Sequence, residues 1–166
     1  MTIGINYLIN LPEGVEIARL NEKKVRRYWD LLKDHSPSLT DGARSYEWML
    51  EKWMAKDWVI LEVGKGEGVI VMDSVRVGHK SAVHVHFFDH KLSKRLDVFR
   101  DCMIWAFFQF DLRRLEFLVP DHAPAVRRFL RRKLHATEEG LLREYAFYDG
   151  EARDVYMYSI LRDEVL

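Results

Sequence analysis

The sequence has a single cysteine, Cys102, and that excludes an intramolecular disulfide and a zinc site built from cysteines. Cys102 sits in an apolar helical stretch, where a buried, inert thiol is expected. There is no excess of either charge: 26 Lys and Arg face 26 Asp and Glu, so net charge points to neither a nucleic-acid nor a membrane partner. No apolar run approaches the roughly 20 residues that a membrane-crossing helix needs. The opening Met1–Leu11 has no basic start and is broken by Asn6 and Asn10, which reads against a signal peptide. These absences lead us to expect an intracellular, reducing, cytoplasmic setting. Internal repeats, low-complexity segments and linkers are also missing. With 48% hydrophobic and 13% aromatic residues over 166 positions, residues 1–166 read as one packed domain.

Taken in order, Val15–Leu20 reads as a strand and Asn21 as the cap of a helix over 22–34, with Val25, Tyr28, Trp29 and Leu32 inward. Thr40 or Asp41 caps a second helix running to about Lys56. Trp58–Val63, Val69–Val77 and Ala82–Phe88 follow as an antiparallel meander, the first two joined by a glycine-rich turn at Gly64–Gly68. Residues 93–110 read as a helix capped by Ser93 and buried on more than one side. Lying between two strands, it implies a crossover and a parallel pairing of 82–88 with 114–119. In 114–119, Leu115, Phe117 and Val119 alternate with Glu116 and Leu118. Pro124 opens a helix to 134 with Val126, Phe129, Leu130 and Leu134 inward. Gly140 reads as a break. Two strand-like segments then meet at Asp149-Gly150, a strong hairpin signal. The order is β-α-α-β-β-β-α-β-α-β-β. The class is mixed α/β (α+β), with a mostly antiparallel sheet and a central parallel pair.

The run Glu139-Gly140-Leu141-Leu142-Arg143-Glu144, then Asp149-Gly150, Asp154 and Tyr158-Ser159, resembles the C-terminal part of GNAT-type N-acetyltransferases of the ribosomal-protein-acetylating branch. The element order is similar to that family along the whole chain. The resemblance implies a sheet that splays between 82–88 and 114–119, with acetyl-CoA in the gap and a primary amine, small or on a protein, as acceptor. It also implies that backbone N–H groups of the strand at 85–88, Phe87 and Phe88 among them, orient the thioester. The pyrophosphate would lie at the start of the long helix, where free N–H donors and a partial positive charge favour anions. The matching stretch is HKLSKR, with His90, Ser93 and Arg95 at the family's motif positions and no glycine at either glycine position. Lys91, Lys94 and Arg95 offer side-chain cations in place of backbone contacts. The other reading is that Arg95 closes the pocket. The protein would then be a non-catalytic binding or assembly module with a protein partner, of the kind found among phage proteins.

Three further features carry chemistry. His84 and His86 share a face of their strand, and an imidazole is a natural base for an amine. As alternatives the pair is surface decoration, or part of a metal site completed by His79 or His90. In the family a tyrosine reprotonates the thiolate. The helix at 124–134 has none, which leaves Tyr145 and the other tyrosines of the last hairpin. Arg127, Arg128, Arg131, Arg132 and Lys133 form adjacent helical rows, read as a solvated face, a holder of the CoA 3′-phosphate, or a contact for nucleic acid or an acidic protein partner. Aromatic interleaving for single-strand binding is absent, so nucleic acid is the weaker reading; oligomerisation is left open.

Overall fold

A computed structural model describes residues 9–35, 45–88, 95–148 and 150–165. The chain runs β1 (Val15–Ile17), α1 (Glu22–His35), α2 (Tyr46–Trp53), β2 (Val59–Val63), β3 (Gly68–Arg76) and β4 (Lys80–Phe87). It continues through α3 (Leu96–Gln109), β5 (Arg114–Pro120), α4 (Pro124–Lys133), β6 (Thr137–Tyr148), β7 (Glu151–Leu161) and a short α5 (Arg162–Val165). The seven strands form one sheet in the order β1-β2-β3-β4-β5-β7-β6. Every neighbouring pair is antiparallel except β4 with β5. The predicted architecture is therefore the observed one.

Strand alternation sorts the sheet's residues between two apolar layers. Leu61, Ile70, Met72, Val83, Leu115, Phe117 and Val119 pack with α3 and α4 on one face. Ile60, Val69 and Val71 pack with α1 and α2 on the other. Phe99, Cys102, Met103, Trp105, Ala106 and Phe107 of α3 are all buried, so that helix is enclosed on more than one side. Burial pushes the Cys102 thiol up to about 12, with Asp101 adding to it. The one carboxylate in β2, Glu62, is 6% exposed and is held by Lys24 Nζ at 2.7 Å and by the Tyr28 hydroxyl.

Several local expectations are corrected. The first strand ends at Ile17; only the Ala18 N–H continues the pairing, donating to Ile60 O at 2.8 Å. The second helix starts at Tyr46 with Ser45 as its cap, its Oγ accepting from the Trp48 N–H at 3.2 Å. Thr40 and Asp41, the expected caps, lie outside the described residues, as does Ser93, expected to cap α3. Gly140 does not break the chain; it lies inside β6 beside a register irregularity, where a missing side chain lets the strand kink. Past α4, His135 takes φ 53°, the left-handed conformation that glycine commonly supplies at a helix end. Gly150 (φ 74°) supplies the positive φ of the tight turn between β6 and β7.

The residues that carry the family resemblance are structural ties of this last hairpin. Asp154 Oδ1 accepts from the Glu144 N–H at 2.8 Å, and Tyr158 Oη donates to Glu138 at 2.5 Å. Glu139 accepts from Ser159 Oγ at 2.6 Å and from both terminal nitrogens of Arg114, one at 2.6 Å. Arg114, then Ser159, hold the Glu139 carboxyl down at about 2.

Candidate functional site

The parallel ladder is short. Lys80, Ser81 and Ala82 pair with Arg114, Leu115 and Glu116, and there the register ends. Beyond it β4 runs on to Phe87 and β5 to Pro120 without pairing to each other, so the sheet opens between them. Strand geometry decides which backbone groups face this opening. The Phe88 N–H donates to Glu67 O at 2.9 Å, toward β3. In an antiparallel ladder such groups alternate from edge to edge, so those of Val85 and Phe87 point toward β5.

Two cavities meet in the opening. One, of about 260 Å³, is apolar and lies toward α3 and α4, lined by Val83, Val85, Phe117, Val119, Val126 and Phe129 among others. Val126, expected in the core, instead walls this cavity and is 37% exposed. The other, of about 380 Å³, lies toward α1 and α2. Both are lined by His84, Leu118 and Tyr145, so these three side chains stand where the faces of the sheet communicate.

His84 is fixed by Asp73 of β3, whose Oδ2 lies 2.6 Å from His84 Nε2. Asp73 pairs with Ala82, one step from an irregularity at which Ser74 takes φ 51°. With Nε2–H donated to the carboxylate, Nδ1 is the nitrogen that carries the lone pair. His86, on the same face, differs. Its Nε2 is shut off from solvent, and burial, with a smaller push from His84, lowers the imidazole to about 3. It is neutral at ordinary pH and too weakly basic to take a proton from an ammonium group. Of the two histidines put forward from the sequence, the geometry therefore favours His84. Among the described residues no group of three or more His, Cys, Asp and Glu is placed to hold a metal.

Tyr145 projects from a second irregularity in β6, between Leu142 and Ala146, which the Asp154 bond to Glu144 anchors. It is 59% exposed at the shared mouth. Phe87 is buried in the α3 layer, and neither it nor Phe88 lines a cavity. Phe88 is corrected as a backbone donor, because its N–H is already given to Glu67. His90, Lys91, Ser93 and Lys94 lie outside the described residues. Arg95 is ion-paired with Glu67 and lines neither cavity. In the arginine cluster, Arg127 lies over the Tyr156 ring at 4.1 Å while Arg128, Arg131, Arg132 and Lys133 are exposed.

Sequence reasoning missed Asp73 and Leu118. Asp73 lies 11 positions from His84, and only the β3–β4 register brings them together. In sequence Leu118 shows strand alternation and nothing more.

No helix among the described residues is long and apolar enough to cross a membrane. No family model matches the sequence, and no curated protein matches it. Solved structures do. The chain is similar to a point variant of spermidine N-acetyltransferase SpeG from Vibrio cholerae, at 16% identity over 92% of this chain and 96% of that one, with TM-score 0.74. It is similar to the Vibrio cholerae spermidine N-acetyltransferase in complex with CoA and spermine, at 15% identity over 93% and 99%, with TM-score 0.72. A probable acetyltransferase matches at 18% identity over 93% and 97%, with TM-score 0.70. At these identities the likeness shows the fold, and that fold is the GNAT type.

Proposed function

We propose that the chain transfers an acetyl group from acetyl-CoA to a primary amine, in the opening between β4 and β5. The observation that carries this is the meeting of two cavities, one from each face of the sheet, at His84, Leu118 and Tyr145. A donor entering from one side and an acceptor from the other would come together there, which is the main requirement of a direct group transfer.

The residues fit such a donor. The apolar cavity toward α3 and α4 suits an extended, uncharged arm, and the β5-facing edge of β4 beyond Ala82 suits hydrogen bonding to it. Acetyl-CoA would supply an activated acyl thioester whose carbonyl carbon an amine can attack. The Val85 and Phe87 backbone groups face the opening and would orient the carbonyl and stabilise charge on its oxygen. His84 would accept the amine's proton at Nδ1, and Asp73 would steady the imidazolium that forms. Tyr145 would return a proton to the departing sulfur. The solved neighbour with CoA and spermine supports a donor and an amine on this fold.

The test is thiol release from acetyl-CoA across a panel of primary amines. Turnover by the parent is expected, with kcat/KM about 100-fold lower in His84→Gln. Asp73→Asn should lower kcat/KM by about tenfold, because the His84 ring loses the partner that orients it. If no primary amine is turned over, or if His84→Gln matches the parent, the assignment is wrong.

A further inference from the structure

Resting on that reading, the cavity toward α1 and α2 is where the acceptor would sit, and its walls say what kind of amine it takes. Leu32, Trp48, Met49, Trp53 and Trp58 form an apolar, largely aromatic wall. Trp48 and Trp58 meet edge to face with centroids 6.0 Å apart and are only half-buried. Their outer faces present aromatic surface to the cavity in place of a closed core. The floor is the sheet, with Asp73 and His84 at one place and Glu116 at another.

The charges on that floor are few and nearly spoken for. Glu116 takes Lys80 Nζ at 3.0 and 3.1 Å and Arg114 Nε at 2.8 Å. Arg76 and Lys80 stand against Asp73 and Glu116, so the described lining carries as much positive as negative charge. A chain bearing three or four ammonium groups needs a carboxylate for each that it buries, and the described lining, with Asp73 and Glu116 already facing Arg76 and Lys80, does not offer them. One ammonium fits, beside Asp73 and His84. A volume of about 380 Å³ is at the small end for ligand pockets and suits one ring with a short arm. Rings are also what the indole faces bind best, by offset or edge contact.

We infer that the acceptor is a monoamine carried on one aromatic or branched apolar body, and not a polyamine like the one bound by the solved neighbour. The ammonium would point at the Asp73–His84 pair and the body would lie on Trp48 and Trp58.

The experiment compares phenethylamine, spermidine and a short peptide with a free N-terminus, each with acetyl-CoA, and measures phenethylamine binding separately by tryptophan fluorescence without acetyl-CoA. Phenethylamine should exceed spermidine in kcat/KM by about tenfold or more, and Trp48→Ala should collapse that ratio chiefly through KM. Fluorescence quenching by phenethylamine that Trp48→Ala abolishes supports an aromatic monoamine as the ligand of this pocket even if no amine is acetylated; in that case the acetyl-transfer reading fails and the pocket's choice of ligand stands. Preference for spermidine or for the peptide overturns the inference while leaving acetyl transfer intact. Absence of quenching by phenethylamine also overturns it.

Discussion

Acidification from pH 7 to pH 5 should weaken the fold by about 2 kcal/mol through His86 alone. The ring is half-buried, with its Nε2 cut off from solvent, and is lowered from 6.5 to about 3, chiefly by loss of solvation. A depressed folded value for a histidine means that the unfolded chain binds the proton more readily. The contribution of the neutral ring is therefore complete above pH 6.5, falls as pH drops below it, and is exhausted near pH 3. At pH 5 the unfolded ring is protonated in about 30 chains for each one that is not, and RT ln 30 is about 2 kcal/mol. At pH 7 the same quantity is near zero. The carboxylates with lowered values, Glu62, Glu116 and Glu139, titrate from 4.5 downward, so the window from 7 to 5 separates them from His86. Urea unfolding at pH 7, 6 and 5 should show the loss in the parent and most of it missing in His86→Gln. Parallel curves for the two proteins would refute the claim that the fold holds this imidazole neutral.

Two other outcomes follow from buried groups. Tyr28→Phe removes the hydroxyl that Glu62 accepts from and should cost about 1–3 kcal/mol in urea unfolding at neutral pH, because a buried carboxylate loses a donor. Cys102, 2% exposed and with its thiol raised to about 12, should react with a thiol reagent only on unfolding, so it adds no background to a thiol-release assay.

The elements were legible where a period and a stop coincided. Leu115, Phe117 and Val119 alternate cleanly because β5 is buried on one face by α3, and Asp149-Gly150 marks the hairpin because a tight turn needs positive φ. Ser45 also stood in plain sequence before a helical run, but Thr40 and Asp41 offered equally good oxygens, and only the fold chooses among them. Gly140 misled because a glycine signals a kink inside a strand as well as the end of one.

The candidate site was half legible. His84 and Tyr145 could be named from residue type and from the resemblance. What separates His84 from His86 is the local environment: one ring meets Asp73, the other has its Nε2 shut off from solvent, and two positions with the same spacing and face give no hint of that in sequence. The His84–Asp73 contact depends on a strand register set beside an irregularity at Ser74, and registers near such irregularities are not encoded in a short repeat. Residues of the resemblance motif, Glu139, Asp154, Tyr158 and Ser159, proved to tie β5, β6 and β7 together. They are informative about fold because their work is structural.

The measurement that bears most directly on acetyl transfer is calorimetric titration with acetyl-CoA of the parent and of Val85→Trp, which fills the apolar cavity beside the open edge of β4. The account predicts micromolar binding by the parent, lost or weakened at least tenfold in Val85→Trp with the fold retained by circular dichroism. Absence of binding by the parent, or equal binding by both proteins, would contradict it.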